Sequence, residues 1–478
     1  MKILLASSEV YPYSKTGGLG DAVGALGKAL ARAGHEVGIV TPLYRGVRER
    51  FPGLRKIEWR FDLPLGSKRA EATLLVLEAS PGLKVYFIDK PEYFDRNGIY
   101  NDIHGDFGDN AERFIFFSKC VVHLARHLPL KPQVLHLHDW PTGLVPLFVQ
   151  QEYRSGGWPK PPRTCLTIHN LAYQGVFPRA AFGLTNLPAD CFNAETTEFY
   201  GQLNCLKAGI ACADAVTTVS PRYAREITTQ EYGAGLDGLL RKHQQVLTGI
   251  LNGVDYEEWN TVSNPNIAAP FSADNIAGKA VCKAALQNRL GLTVDAAIPV
   301  FGCVTRLVDQ KGIDITLGAM EEMLVSPMQF VLLGSGSQDY ERALQTLARR
   351  YPAMVAVQFG YDHSLAHQIE AGSDFFLMPS RFEPCGLNQL YSLRYGTIPI
   401  VRRTGGLDDT VIDASDDSER ADGIKFLEPA QPALSKAIRK ALLLFDHKEL
   451  LSRYRHNAMT ANFSWDKAVK EFEAVYTV

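Results

Sequence analysis

The residues best suited to chemistry in the first part of the chain form a glycine-rich loop, Lys15-Thr-Gly-Gly-Leu-Gly-Asp21. A short apolar run, Ile3-Leu-Leu-Ala6, precedes the loop, and a segment with apolar residues at helical spacing follows it. This order predicts a strand, a loop and a helix in succession. In such a unit, backbone N–H groups and the helix N-terminus can close on an anionic ligand. Because Lys15 would add a positive charge at the rim, the loop predicts an anion-binding site.

A dinucleotide-binding fingerprint is one alternative for this loop, and the spacing argues against it. After Gly18 and Gly20 the third glycine should stand at position 23, which is Val23. The second strand should also end near an acid for the ribose hydroxyls, but it runs into Thr41-Pro42. A tight turn without a ligand, the other alternative, would explain the glycines but not the lysine and aspartate that flank them.

Polar residues also follow the predicted strands further along the first half of the chain. Asp139 comes directly after one strand, and His169 with Asn170 comes after the next. Ligands of open α/β sheets bind at this carboxyl edge of the strands. His136, His138 and Asp139 also permit a metal interpretation, but no further ligand stands at metal spacing, and we predict no metal site.

The second half of the chain has four loops of the same kind, each placed after a predicted strand. They are Thr305–Gly312 with its cations Arg306 and Lys311, Gly334–Gly336, Pro379–Leu387 and Thr404–Leu407. Each loop alone could be turn chemistry. Four at one sheet edge, opposite the lysine loop of the first half, predict a nucleoside diphosphate held between two domains, with a second substrate on the first domain.

The composition sets limits on the elements that position these residues. The chain has 478 residues, 46% hydrophobic and 21% charged, with a net charge of −2, which is typical of a soluble protein and gives no basic field for nucleic acid or an anionic membrane. Eight cysteines without a CxxC pair favour reduced thiols in the cytoplasm. No leader or membrane span is apparent, although a removed plastid transit peptide would leave no trace. The oligomeric state is not predicted.

Alternating strand and helix patterns on both sides of a polar stretch predict an α/β fold with two Rossmann-like, doubly wound parallel-sheet domains that face each other across a cleft. We expect an N-terminal domain over 1–247 and a C-terminal domain over 248–461. A final helix in 462–478 would cross back to complete the first domain, because apolar residues such as Val469 and Phe472 need a surface to cover.

Seven motifs in order along the chain resemble those of bacterial glycogen synthases and plant starch synthases, which are retaining glycosyltransferases of the glycosyltransferase-B arrangement. The motifs are Lys15–Asp21, His138–Trp140, His169–Gln174, Asn252–Asp255, Arg306–Gly312, Pro379–Gly386 and Arg403–Leu407. The resemblance spans nearly the whole chain. It implies an enzyme that moves glucose from ADP-glucose to the 4-hydroxyl at the non-reducing end of glycogen or another α-1,4-glucan, with retention and without a metal or other cofactor.

The resemblance also implies a role for individual residues. Lys15, Arg306 and Lys311 would neutralise the diphosphate of ADP-glucose, and Tyr361 would lie by the adenine. The remaining donor-site residues would be Gly17, Gly18, Asp21, Asn252, Cys385, Gly386, Leu387, Thr404, Gly405 and Gly406. Residues on the acceptor side would be Asp139, Asn170 and Gln174. The catalytic group would comprise Glu383, His169, Arg306 and Lys311.

Related retaining enzymes carry a second glutamate eight positions after the first. In this chain the residue eight positions after Glu383 is Tyr391, so the second carboxylate is absent. A double displacement would need both an acid and a nucleophile, so a front-face mechanism fits better, and the sequence leaves the choice open. Three alternative functions are a UDP-glucose-dependent transferase such as a sucrose-type synthase, a phosphorylase and a non-catalytic α-glucan-binding protein. The presence of Lys15, Arg306, Lys311 and Glu383 argues against the last, because a glucan binder has no need of diphosphate cations.

Overall fold

A computed structural model describes residues 1–102 and 104–477 of the chain. The chain divides into two units, one formed by Met1–Gly253 together with the segment that starts at Trp465, and the other by Val254–Ser464. Each unit contains one large sheet with helices packed against it.

The strands of the first unit follow in chain order. They are β1 (Lys2–Ala6), β2 (Glu36–Pro42), β3 (Arg55–Leu65), β4 (Lys68–Ser80), β5 (Leu83–Asp89), β6 (Asn101–Asp102), β7 (Gly105–Asp106), β8 (Val134–His138), β9 (Arg163–Ile168), β10 (Val176–Phe177), β11 (Glu198–Phe199), β12 (Gln202–Asn204), β13 (Ala215–Thr218) and β14 (Leu247–Gly249). The helices of this part of the chain are α1 (Gly18–Arg32), α2 (Val47–Arg50), α3 (Pro91–Phe94), α4 (Asn110–His127), α5 (Val145–Arg154), α6 (Cys205–Cys212), α7 (Pro221–Glu226) and α8 (Asp237–Lys242).

The large sheet of the first unit has the strand order β14-β13-β9-β8-β1-β2-β5-β4-β3. Its strands from β14 to β5 are parallel, whereas β4 and β3 extend the edge antiparallel. The sequence analysis missed β3 and expected only parallel strands. The reason is local: only Gly66 and Ser67 connect β3 to β4, and Gly66 has a φ of +65°, so the chain reverses in a two-residue hairpin.

Helix α1 follows β1 as the sequence predicts. Its apolar face, including Val23, Leu26 and Leu30, is buried, which confirms the strand–loop–helix–strand prediction. The helix packs close to the loop before it: a Cβ added at Gly24 would lie 2.3 Å from the carbonyl oxygen of Tyr11. A side chain at this position would therefore push the helix away from the strand end.

The second unit has strands and helices that alternate along the chain. The strands are β15 (Val300–Leu307), β16 (Gln329–Gly336), β17 (Val355–Phe359), β18 (Phe375–Met378), β19 (Ile398–Arg402) and β20 (Ile424–Phe426). The helices are α9 (Ala277–Arg289), α10 (Ile313–Met323), α11 (Gln338–Arg350), α12 (His363–Gly372), α13 (Asn388–Arg394), α14 (Gly405–Thr410), α15 (Gln431–Asp446) and α16 (Lys448–Thr460).

The sheet of the second unit is parallel throughout, in the order β17-β16-β15-β18-β19-β20. Numbered along the chain this is 3-2-1-4-5-6, the order of the Rossmann fold. The alternating strand and helix pattern of the second half predicts such a parallel sheet, but the three-residue β20 is too short for a pattern to show. Fully buried aromatic residues such as Phe301, Phe330 and Phe375 form the core between sheet and helices.

The final helix of the chain, α17 (Trp465–Thr477), belongs to the first unit. It buries Trp465, Val469, Phe472 and Tyr476, and the hydroxyl of Tyr476 lies 2.7 Å from Nδ1 of His136 in β8. No helix within the described residues is long and apolar enough to span a membrane.

Candidate active site

Both sheets reverse their strand order at one place, and several of the predicted site residues lie in the loops there. In the first unit the reversal lies between β1 and β8, which lead into the glycine loop and Asp139. In the second it lies between β15 and β18, which lead to Arg306 and Glu383. Ligands of doubly wound sheets bind in the crevice at this point, outside the carboxyl ends of the strands.

The glycine loop of the first unit is held by a buried carboxylate, Glu9. Its oxygens accept hydrogen bonds from Thr16 Oγ1 (2.8 Å), the backbone N–H of Thr16 (2.5 Å) and the backbone N–H of Gly17 (3.3 Å). The hydroxyl of Tyr100 donates to the same side chain at 2.9 Å. The N–H of Gly17, which the sequence analysis assigned to the diphosphate, thus contacts Glu9 in this structure.

Lys15 at the rim of this loop contacts Asp21 in the first turn of α1. Its Nζ lies 2.9 Å from both carboxylate oxygens of Asp21, and both side chains are partly exposed. The pair fixes the direction of a flexible lysine while leaving its ammonium group accessible, since an ammonium group has three hydrogens to donate. The two charged residues that flank the glycines therefore act together.

Asp139 lies at the carboxyl end of β8 in a backbone conformation that few non-glycine residues adopt, with a φ of +57°. Its Oδ1 accepts the backbone N–H of His169 at 2.7 Å and that of Asn170 at 3.4 Å. Burial raises the pKa of Asp139 from 3.8 to about 7. The structure thus joins the ends of β8 and β9 through one strained, buried carboxyl group.

The imidazole of His169 is half-buried and adjoins two buried histidines, His136 and His138. His169 Nε2 lies 3.0 Å from His138 Nδ1, and burial lowers the pKa of His169 and of His136 to about 3. These rings are neutral at pH 7, so they can offer hydrogen bonds but not positive charge. Gln174, the last residue of the same motif, is tied to Asn204 and to the carbonyl oxygen of Ala234.

Glu383 in the second unit is the centre of a short charged network. Its Oε2 lies 2.5 Å from Lys311 Nζ and accepts the hydroxyl of Ser380 at 2.9 Å. Both side chains of the ion pair are largely buried. Within residues 1–102 and 104–477 no other hydrogen bond reaches this carboxylate, so Oε1 can accept one from a sugar hydroxyl.

Two glycines at the start of α14 hold the backbone of Glu383 in place. The N–H of Gly406 donates to the carbonyl oxygen of Glu383 at 3.1 Å. A Cβ added at Gly405, whose φ is +44°, would lie 1.9 Å from the same oxygen, and one at Gly406 would lie 2.2 Å from the carbonyl oxygen of Cys385. The Thr404-Gly-Gly motif is therefore required by close packing against the Glu383 loop.

The other predicted residues of the second unit lie at the same sheet edge. Arg306 is exposed near the end of β15, Tyr361 is 69% exposed after β17, and Cys385 is buried. Gly386 has a φ of +73°, and Leu387 precedes the first residue of α13. Asn252 is buried near the end of the first unit.

The sequence analysis missed Glu9 and Ser380, which position the predicted residues through side-chain hydrogen bonds. Glu9 stands three residues after β1. An acidic residue shortly after a strand is the pattern that drew attention to Asp139, and the same pattern could have pointed to Glu9. Ser380 stands inside a predicted motif, but its contact with Glu383 depends on how the loop turns, and no residue pattern reveals that.

Chemically, the first unit offers an ammonium group beside a glycine loop, and the second offers two cations and a carboxylate. Cations at a sheet edge can bind a phosphate group and stabilise the negative charge that develops on it when it acts as a leaving group. Residues 2–242 match the family model described as starch synthase catalytic domain, and residues 293–459 match the model described as glycosyl transferases group 1. The fold and site define a glycosyltransferase.

Relatives along the full length identify the family. The chain is 46% identical to the glycogen synthase of Anaeromyxobacter dehalogenans over 477 residues, covering 100% of this chain and 98% of the relative. It is 44% identical to the glycogen synthase of Opitutus terrae, covering 100% and 99%. The solved catalytic domain of starch synthase IV from Arabidopsis thaliana, bound to ADP and acarbose, superposes with a TM-score of 0.91 at 34% identity, covering 99% and 98%. The chain belongs to the glycogen and starch synthase family.

Proposed function

We propose that this enzyme transfers glucose from ADP-glucose to the 4-hydroxyl at the non-reducing end of glycogen or a similar α-1,4-glucan, with retention of configuration. The observation that carries the proposal is the ion pair of Lys311 and Glu383, 2.5 Å apart, at the strand-order reversal of a Rossmann-like sheet. A cation beside a carboxylate supports a role for Lys311 at a leaving phosphate and for Glu383 at the sugar. The names of the full-length relatives, glycogen synthase and starch synthase, support the same reaction.

The cations stabilise the leaving group in this proposal. Lys15 from the first unit, with Arg306 and Lys311 from the second, contact the diphosphate of ADP-glucose, with Gly18 and the start of α13 supplying backbone donors. Fixed positive charge at developing negative charge stabilises the transition state more than the ground state. Tyr361 contacts the adenine, and the ADP of the solved starch synthase IV supports a nucleoside diphosphate of this kind.

Glu383 acts at the sugar. An anion repels phosphate, so its carboxylate accepts a glucose hydroxyl and offsets the positive charge that develops at the anomeric carbon. His169, Asn252, Cys385 and Gly386 complete the glucose contacts. Asp139 with Asn170 and Gln174 lies on the acceptor side, where a glucan binds.

A front-face transfer is consistent with a single carboxylate. The bond from the anomeric carbon to the phosphate oxygen breaks, and the acceptor 4-oxygen bonds to the same face of that carbon. The proton of the 4-hydroxyl passes to the departing phosphate oxygen and leaves with ADP. The residues named here supply all the charge that this step needs, so we propose no metal or other cofactor for it.

The cysteines favour a reducing cytoplasm as the place of action. All eight are buried thiols rather than disulfides, and thiols persist in that compartment.

Release of ADP from ADP-glucose in the presence of glycogen tests the function. We expect glycogen-dependent ADP release, with little release when glycogen is omitted and slower turnover with UDP-glucose. A preference for UDP-glucose would reassign the donor. Glycogen binding without nucleotide release from either donor would make the protein a non-catalytic glucan binder.

A further inference from the structure

Glu258, His363 and His367 converge in the second unit. One ligand atom from each residue lies within 4.8 Å of the other two. We propose that these three side chains form a binding site for a divalent zinc-type metal ion.

The two histidines come from one helix. They stand at positions i and i+4 at the start of α12, so their rings share one face, and their Nε2 atoms are 3.2 Å apart. Two imidazole nitrogens that each bond a tetrahedral zinc ion at ~2.0–2.1 Å lie ~3.3 Å apart. The histidine pair thus already has the separation that a shared metal ion requires.

Glu258 provides the third ligand from the other side of the pair. Its Oε1 lies 3.9 Å from His363 Nε2, and the side chains of His363 and Glu258 are 38% and 26% exposed. A modest rotation of the glutamate side chain brings its oxygen to bonding distance. The partial exposure of both residues gives an ion a path of entry from solvent.

Hydrogen bonds behind the site orient His367 as a ligand. The hydroxyl of Tyr395 donates to the carbonyl oxygen of Asn260 at 3.2 Å. The side-chain amide of Asn264 lies 3.1 Å from His367 Nδ1, but its two hydrogens can go to the Tyr395 oxygen at 2.8 Å and to the carbonyl oxygen of Asn260 at 3.2 Å. The Tyr395 oxygen can then accept the Nδ1–H of His367 at 2.9 Å. In this arrangement the lone pair of His367 lies on Nε2, which points at His363. An outer hydrogen bond from the second ring nitrogen is the usual support of a metal-bound histidine.

Aromatic packing fixes the same ring. Trp259, the neighbour of Glu258, stacks on His367 with ring centroids 4.1 Å apart and an angle of 23°. It also stacks on Tyr391, with centroids 3.7 Å apart and an angle of 6°. The buried imidazole is therefore held before any ion arrives, and less conformational freedom is lost on binding.

The ligand set selects the metal. Two imidazoles and one carboxylate suit zinc and its neighbours in the first transition row, and they do not suit calcium or magnesium, which prefer oxygen ligands. Three protein ligands leave one coordination position for water. Without a metal, a proton shared by the two Nε2 atoms would satisfy the pair, and this is the competing state.

The test is a metal titration of the full-length protein after removal of metals with a chelator. We expect one zinc ion per chain in competition with a chromogenic chelator, and cobalt should give the visible absorption of a tetrahedral site. His363→Ala should weaken zinc affinity on the order of a hundredfold. The control His456→Ala, which removes an exposed histidine of the same unit, should bind zinc as the unaltered protein does.

A stability measurement separates lost ligation from lost folding. Zinc should raise the Tm of the unaltered protein and of His456→Ala, because it binds the folded state. Metal-free His363→Ala should unfold cooperatively, at a lower Tm because His367 loses its partner at Nε2, and zinc should not raise that Tm. The proposal is overturned if the unaltered protein binds no stoichiometric zinc, or if His363→Ala binds zinc as tightly, since the pair would then only share a proton.

Discussion

The roles of Glu383 and Lys311 follow from their opposite charges. A carboxylate held 2.5 Å from an ammonium group keeps the lysine at the sheet edge, and a lysine can serve the carboxylate and a phosphate at once because it has three hydrogens. Under the proposed function only the lysine attracts the diphosphate, so substitutions of the two residues should affect different kinetic constants.

For Glu383→Gln we expect a loss of kcat on the order of a hundredfold, or about 3 kcal/mol in the barrier, with unchanged affinity for ADP. The amide keeps the shape but cannot offset charge that exists only in the transition state. Steady-state kinetics and ADP titration measure the two effects. Glu419→Gln, at a side chain that is 80% exposed in the same unit, is the control. An unchanged kcat, or a loss of ADP affinity, would move Glu383 away from the glucose.

For Lys15→Gln we expect mainly a higher KM for ADP-glucose, with a smaller loss of kcat. Lys15 attracts the diphosphate in the ground state as well as in the transition state, and losing one partner of a desolvated charge pair typically costs about 2–5 kcal/mol. Donor-dependent initial rates measure both constants. Lys2→Gln, an exposed lysine of the same unit, should change neither, and a KM for Lys15→Gln equal to that of Lys2→Gln would exclude a donor contact.

Asp139 makes the stability of the first unit depend on pH. Its pKa is raised from 3.8 to about 7 by burial, so the folded state holds a proton that the unfolded state has lost between these values. Its contribution is complete below about pH 4 and declines as pH rises to about 7. Asp139→Asn keeps an oxygen for the N–H groups of His169 and Asn170 without the charge.

Urea unfolding of both proteins between pH 4 and 7 checks this dependence. As pH rises from 4 to 7, we expect the unaltered protein to lose at least about 1 kcal/mol of unfolding free energy relative to Asp139→Asn. The buried histidines lower stability at acid pH in both proteins, so their effect cancels in the difference. A difference that stays constant with pH would mean that Asp139 is already ionised in the folded state.

At the scale of elements, helix α14 holds the catalytic loop through its two glycines. Gly406→Ala would place a Cβ 2.2 Å from the carbonyl oxygen of Cys385, and a backbone atom cannot rotate away as a side chain can. We expect a loss of stability of about 1–3 kcal/mol together with lower kcat. Thermal unfolding and initial rates test this. Gly183→Ala, where a Cβ meets nothing within 4 Å, should be neutral, and equal behaviour of both variants would contradict the close packing.

The sequence predicts elements whose signal is local. Helix α1 has apolar residues at helical spacing and a glycine loop before it, and both features survive in the structure. The pairing of β3 with β4 was not predicted. A Gly-Ser pair indicates a hairpin turn only when both flanking segments have already been identified as strands. The short β20 has too few residues for any period to show.

The candidate site divides in the same way. The motifs single out Lys15, Lys311 and Glu383 because their charges suit the predicted ligand. Glu9 and Ser380, which hold the predicted loops, are recognised only from the tertiary contacts of the folded chain. The zinc-type site depends on Glu258, more than a hundred residues before His363, and only the folded chain brings a carboxylate that distant to a histidine pair. Sequence patterns thus single out candidate charged residues more readily than the side chains that orient them.

At the scale of the whole molecule, one chain joins two Rossmann-like units that match two different family models. The chain passes from the first unit to the second at Gly253 and returns at Trp465, so helix α17 completes the unit in which the chain starts. Each unit carries its charged residues where its strand order reverses. In the function proposed above, both units supply cations for the donor, the second supplies the carboxylate for the sugar, and the first supplies the acceptor contacts.

The structure of the product tests the central claim most directly. Glucose labelled with carbon-13 at its anomeric carbon, supplied as ADP-glucose with glycogen as acceptor, should appear in the polymer as α-1,4-linked residues in an NMR spectrum. An enzyme that removes non-reducing-end glucose should release the label first. β-linked label, label released only as free glucose, or no incorporation from ADP-glucose would contradict the account of a retaining glucan synthase.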